Sequence, residues 1–449
     1  RPYLAASWTT SPGGAVTFSL RRGVRGVTGD PLTAGDVAWS IRRDLAISPV
    51  APFLFALANV DRADPVTVLG PATVRINATA PSPFLLGVLA TAAAGVYDRP
   101  LLEAHARPGD PWAERWGASH SATFAPYYVA QFERGERIVL LANPHASPRP
   151  YYRRVEIVQN SDGYHRFQQV ESGAIDHTSA LDWRDYTNAV LYGAGSGVAA
   201  SILQSGPTVE SWFLYARSGP LRNPAVREAI SLAIDRPDLV GRIYSGYGTP
   251  VALALPAFDG VRQPAGYDPA LARRLLARAG YAHGLTLPLA VSAVLGDGDE
   301  SGELSLLATQ LAQVGITLRP SIYYDADQLL ALEREHRVSS TIEDVTPALG
   351  GAAFSLIEDF DARLDPASPA ALLGFDDPAL DATLARLRDS APGARAAALL
   401  ARAESEAQRD WFAIGLLALP TQIVTRRDIT GYAAYADPVT YYEYLRSAR

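Results

Sequence analysis

Cysteine, lysine and methionine are all absent from this 449-residue chain. Without thiols there are no disulfides, no thiolate zinc sites and no cysteine nucleophile. Without lysine, all 40 cationic side chains are arginine. Positive charge is also nowhere concentrated. The 40 cations are scattered among 47 anions for a net charge of −7, which excludes the basic footprint of a nucleic-acid binder. Long apolar runs are missing too: the longest, 84–97, is about 14 residues and rich in Ala and Gly, against roughly 20 for a membrane-spanning helix. Neither an initiator Met nor a signal peptide is seen, so further chain is expected before Arg1.

The usual marks of chemistry are equally sparse. The seven histidines show no H-x-x-x-H or H-E-x-x-H spacing, and no G-x-S-x-G elbow occurs. Gly193-Ala194-Gly195-Ser196-Gly197 hints at a dinucleotide loop. It has Val198 where the third glycine belongs and no acid about 20 residues on, so an ordinary loop is the better reading. Asp297-Gly298-Asp299-Glu300-Ser301-Gly302 matches the first half of a calcium loop, but its twelfth position is Ala308 instead of a bidentate Glu. It reads as a solvated loop capping the next helix. No metal and no cofactor are called for. Adjacent acids such as Glu343-Asp344 and Glu358-Asp359 select no catalytic set.

What remains is a large globular chain. Hydrophobic residues make up 48% and charged residues 19%, and the length exceeds what one core usually organises, so two or more lobes and a cleft between them are expected. Val16 to Leu20 alternates as a strand; Thr33, with Asp36 three residues on, caps a helix over 34–45. Paired strands are expected in 66–78 and around 137–158, with an Ala-rich helical segment over 81–94 between them. From Trp212 onward, strands and helices alternate. Asn223-Pro224, Asp268-Pro269 and Asp377-Pro378 start helices, and 285–318 reads as a βαβ unit with a helix over 304–314. A helix over 394–412 and a strand-like aromatic tail from Thr421 follow.

Several segments resemble the family 5 extracellular solute-binding proteins of ABC importers. The most specific are Leu4-Ala5-Ala6-Ser7-Trp8, Phe18-Ser19-Leu20-Arg21-Arg22-Gly23-Val24 and Pro31-Leu32-Thr33-Ala34-Gly35-Asp36-Val37, in the order of that family's "LAxSW…FxLRxGV…PLTAxDV". Val226-Arg227-Glu228-Ala229-Ile230 with Ala233-Ile234-Asp235-Arg236, Leu276 to Tyr281 ("LLAxAGY") and Gln313-Val314-Gly315-Ile316 are similar to later segments. The family's ligand-contacting "WxxDxxDP" stretch is only loosely met at Ile342 to Pro347.

The resemblance implies an α/β, two-lobed periplasmic-binding-protein-like fold with an inserted subdomain in the first lobe and the ligand cleft between lobes. Expected boundaries are 1–208 for the first lobe, including an insert at about 45–155, then 209–419 for the second lobe, and 420–449 returning to the first. It implies an extracytoplasmic, periplasmic or lipid-anchored monomer that is not an enzyme. Its partners would be a peptide or small polar solute and an ABC-transporter membrane permease. A buried peptide ammonium needs a carboxylate, and Glu343 and Asp344, expected in the loop after a strand over 338–342, are the candidates; Trp212 and Tyr215 are expected at the cleft or in the core. Two other classes stay open: an enzyme, marked by a poised acid, base or nucleophile in the cleft, and an envelope regulator or lipid-related carrier, marked by a large dry apolar cavity.

Overall fold

The computed structural model describes residues 3–448 apart from 161, 180, 218, 252–265, 293–299, 346–351, 362–376, 392, 410 and 433–439. Strands β1 (Ala5–Thr10), β2 (Val16–Leu20), β3 (Val66–Gly70) and β4 (Thr73–Ile76) form an antiparallel sheet in the order β1-β2-β4-β3. The helix Ala34–Ile47 lies beside it. It starts where the sequence predicts, because Thr33 and Asp36 form a reciprocal capping box in which the Asp36 carboxylate accepts the Thr33 N–H at 2.7 Å. A second small sheet pairs β5 (Tyr127–Glu133), β6 (Arg137–Ala142) and β7 (Arg154–Val158).

The main sheet has seven strands. β8 (His177–Ser179) and β10 (Thr249–Pro250) pair with β14 (Ala413–Arg426), and the order continues through β9 (Val198–Leu214), β13 (Ser340–Val345), β11 (Leu285–Ser292) and β12 (Ile316–Tyr323). β11 is parallel to both β12 and β13, as the βαβ pattern requires, while β9 and β14 are antiparallel and span the sheet. Between Leu419 and Thr421 the ladder shifts register, so that Leu419 faces Thr208 but Thr421 faces Leu203. Pro420 sits at that shift, where its missing N–H removes one ladder bond.

Alternation along β9 sorts its side chains between two cores. Phe213 and Tyr215 enter one core with Ile41, Phe55 and Val74, covered by the helices Ala352–Phe360, Pro378–Arg388 and Ala394–Gln408. Trp212 and Leu214 enter the other with Trp183, Ile230, Leu276, Leu307 and Ile414. Side chains from both sides of residue 208 contribute to each core.

Two segments differ from the sequence reading. The Ala-rich stretch 81–94 holds one short helix, Leu85–Val88, and a 3-10 turn, Ala92–Ala94. It lacks side-chain caps, and Gly87 weakens what propensity alone promised. The helix from Ala394 ends at Gln408, and Trp411, with φ +54°, turns the chain so that β14 begins at Ala413, eight residues before the expected Thr421.

Candidate functional site

β13 and β9 pair residue for residue: Thr341 with Phe213, Ile342 with Trp212, Glu343 with Ser211 and Asp344 with Glu210. Paired residues share a face and successive ones alternate. Glu343 and Asp344 are therefore on the strand itself, not in the loop after it. The strand runs on to Val345 because the ladder with β9 continues to Val209. The two acids project to opposite faces. Pro347 and Gly350-Gly351, expected to form the loop, lie outside the described residues.

On the first face, Glu343 is half-buried and its Oε1 accepts the Thr341 hydroxyl at 3.0 Å; the Tyr215 hydroxyl lies 3.5 Å from Thr341 Oγ1. Glu333, from the helix Ala326–Arg334, is only 6% exposed and close enough to Glu343 for the two carboxyls to repel. Burial and then repulsion by Glu343 push the Glu333 carboxyl up to about 7, and burial raises the Glu343 carboxyl as well. The Tyr215 hydroxyl is held well above its usual range by burial and by the same two acids.

On the second face, Asp344 is exposed and opposite Glu210. The Tyr244 hydroxyl oxygen lies 3.1 Å from Glu210 Oε2 and 2.8 Å from Glu303 Oε2, and all three residues are buried. Burial raises Glu210 well above the carboxylate range, with Glu303 and then Asp344 adding repulsion. Trp212 is fully buried on this face. The four sequence candidates thus fall into two sets, Glu343 with Tyr215 and Asp344 with Trp212.

Glu210, Glu303, Tyr244 and Glu333 were not singled out in the sequence, although a signal existed for two of them. Glu303 occupies the apolar stripe of its helix at the spacing of Leu307 and Leu311, and Glu333 follows Leu329 in the same way. An acid at a core position requires a partner.

Two further sequence motifs have these placements. Gly193–Ser196 is a 3-10 turn closing the helix Trp183–Tyr192. Residues 297–299 of the calcium-like loop lie outside the described residues, Glu300 to Gly302 begin the helix Glu300–Ala312, and Glu303 turns inward to Tyr244. Among the described residues no group of three or more His, Cys, Asp or Glu is placed to hold a metal, and no helix is long and apolar enough to cross a membrane.

The chain is similar to known proteins. Residues 1–356 match the family model "Bacterial extracellular solute-binding proteins, family 5 Middle", and the chain belongs to that family. It is 27% identical over 328 residues to the "Probable D,D-dipeptide-binding periplasmic protein DdpA" of Escherichia coli, a match that covers 70% of this chain and 60% of the relative. Heme-binding protein A of Haemophilus influenzae is 24% identical over 348 residues, covering 73% and 62%. The chain thus spans about 60% of the length of these curated relatives. Among solved structures, the periplasmic binding protein DppA of Helicobacter pylori in complex with the peptide STSA superposes with a TM-score of 0.85 at 18% identity, covering 100% of this chain and 89% of that one. NikA of Staphylococcus aureus in complex with Ni(L-His)2 gives 0.81 at 16% identity, covering 100% and 90%. These superpositions establish the two-lobed periplasmic-binding-protein fold.

Proposed function

We propose that this chain captures a peptide-like polar solute in the cleft between its lobes, outside the cytoplasm, and presents it to the membrane permease of an ABC importer. Asp344 takes the solute's positively charged group. The observation that carries this reading is the placement of Asp344: exposed, at the carboxyl end of a strand parallel to β11, where ligands of α/β sheets bind. The neighbouring acids Glu333 and Glu210 are both pushed towards the neutral form, so they do not compete with Asp344 for a cation. Trp212 and Tyr215 support the ladder from its two faces, and Glu343 braces the first face through Thr341.

We take the lobes as about 1–208 and 209–419 along the chain, with 420–449 returning to the first; both cores draw side chains from each side of residue 208, which supports β9 and β14 as the strands that pass between them. Closure of the lobes onto solute is a hinge transition in which the ligand stabilises the closed form by touching both sides. The protein acts as a monomer and performs no turnover. A panel of di- to hexapeptides tests the reading by thermal shift, since a ligand that binds the folded form raises its stability by RT ln(1 + [L]/Kd). A midpoint that rises with free-amine peptides supports it, and a flat response across the panel overturns the peptide assignment.

A further inference from the structure

Tyr215, Thr341 and Glu343 set a row of oxygens on the first face of the ladder. The Thr341 hydroxyl donates to Glu343 Oε1 at 3.0 Å, and the Tyr215 hydroxyl oxygen lies 3.5 Å from Thr341 Oγ1. The strand's period of two puts Thr341 and Glu343 on one side of β13. Tyr215 is fixed beside them by its backbone N–H, which donates to the Ser339 carbonyl at 3.0 Å. The helix Ala326–Arg334, which joins β12 to β13, brings Glu333 to the same place. Thr341 is fully buried, and Tyr215 and Glu333 are more than nine-tenths buried. Glu333 Oε1 is buried too, and it meets no hydrogen-bond partner among the described residues. A buried polar atom left so is costly. Protonating the carboxyl does not cure this, because Oε1 would then be an unmet donor or remain an unmet acceptor.

We propose that Glu333 and Glu343, with the hydroxyl oxygens of Thr341 and Tyr215, form a site for a hard divalent cation, calcium or magnesium, that keeps part of its water shell. The donor set selects the class: every donor is oxygen, with no imidazole or sulfur to favour zinc or copper. Two carboxylates supply the charge and two hydroxyls add neutral oxygens. Water fills the remaining positions, as is usual where only one or two carboxylates hold such an ion. The cation gives Glu333 Oε1 the partner it lacks and replaces repulsion between the two acids by a shared attraction. It also ties the helix Ala326–Arg334 to β13, the strand that carries Asp344 on its other face. A bound cation leaves Glu333 no free charge for a solute's ammonium group, so the site and Asp344 do not compete.

Calorimetric titration of chelator-treated protein with calcium chloride, and separately with magnesium chloride, tests the site with no peptide present. The expected result at pH 8 is a single site for at least one of the two ions. Its affinity should fall at least about tenfold in E333Q and in E343Q, because each variant removes one charged ligand and keeps the side chain's size. Y215F, which removes a neutral oxygen, should cost less. D44N alters a buried acid of the helix Ala34–Ile47 and should leave the ion's affinity unchanged. If E333Q folds poorly by circular dichroism, E343Q decides. No binding of either ion up to about 10 mM overturns the proposal. So does binding that both glutamine variants leave intact, which would place the ion elsewhere, or a loss that D44N shares. The outcome is independent of the peptide titrations: a flat peptide panel with a Glu333-dependent ion site would sink the solute reading alone.

Discussion

Glu343 and Asp344 are adjacent in sequence and lie on opposite faces of β13, one accepting the Thr341 hydroxyl, the other exposed opposite Glu210. One ammonium group cannot reach both. The division of labour between them follows from the strand's period of two, and it makes their substitutions separable: changes at Glu343 act on packing and pH response, and changes at Asp344 act on solute.

The first consequence is in stability against pH. Glu333 has a folded-state value of about 7 against an ordinary 4.5, so between those values the native state holds a proton that the unfolded chain has lost. Stability is full below the unfolded value and falls as pH rises through this window. Asp44 and Glu358, also raised to about 7 by burial, act in the same direction. Glu333→Gln should remove part of the decline, on the order of 2 kcal/mol after allowance for solvent screening. Urea midpoints measured from pH 5 to 7 should fall less in the variant than in the parent; parallel curves would show that Glu333 does not hold the proton.

Trp212 is buried completely, beneath the ladder that presents Asp344. Trp212→Ala should cost about 3–5 kcal/mol, and Trp212→Phe less, because the ring still fills part of the space. Chemical denaturation checks both. A loss under about 1 kcal/mol for the alanine variant would mean that this core closes around the gap and that the indole is not what fixes the strand.

Gly284 and Gly315 bring the starts of β11 and β12 together. Gly284 has φ +92°, and a Cβ there would stand 2.5 Å from the Gly315 carbonyl oxygen, so neither the backbone conformation nor the space admits a side chain. Gly284→Ala should destabilise by about 1–3 kcal/mol, read as a lowered denaturation midpoint, whereas Gly195→Ala, with nothing within 4 Å, serves as the neutral control. Equal midpoints for the two variants would contradict the close approach.

Most of the architecture was legible from local signals. Thr33, Asn223, Asp268 and Asp377 cap helices with their own side chains, and 285–318 reads directly as strand, helix, strand. The candidate site was legible in part. Glu343 and Asp344 were found as a pair, but their separation onto two faces depends on a register with β9 set some 130 residues earlier in the chain, which no local pattern encodes. Glu210, Glu303 and Glu333 are brought to those acids by tertiary packing, and the trace in sequence is an acid in an apolar helical stripe at Glu303 and Glu333. The stretch 81–94 misled for the opposite reason, since alanine content is a propensity without an amphipathic face to bury.

The most direct measurement compares Asp344→Asn with the parent protein for one peptide in two forms, free at its amino terminus and N-acetylated, by calorimetric titration. If Asp344 holds the ammonium group, the variant loses at least about tenfold in affinity for the free peptide, or about 1.4 kcal/mol, and changes little towards the acetylated one. Equal losses for both forms, or no loss for either, would contradict the assignment.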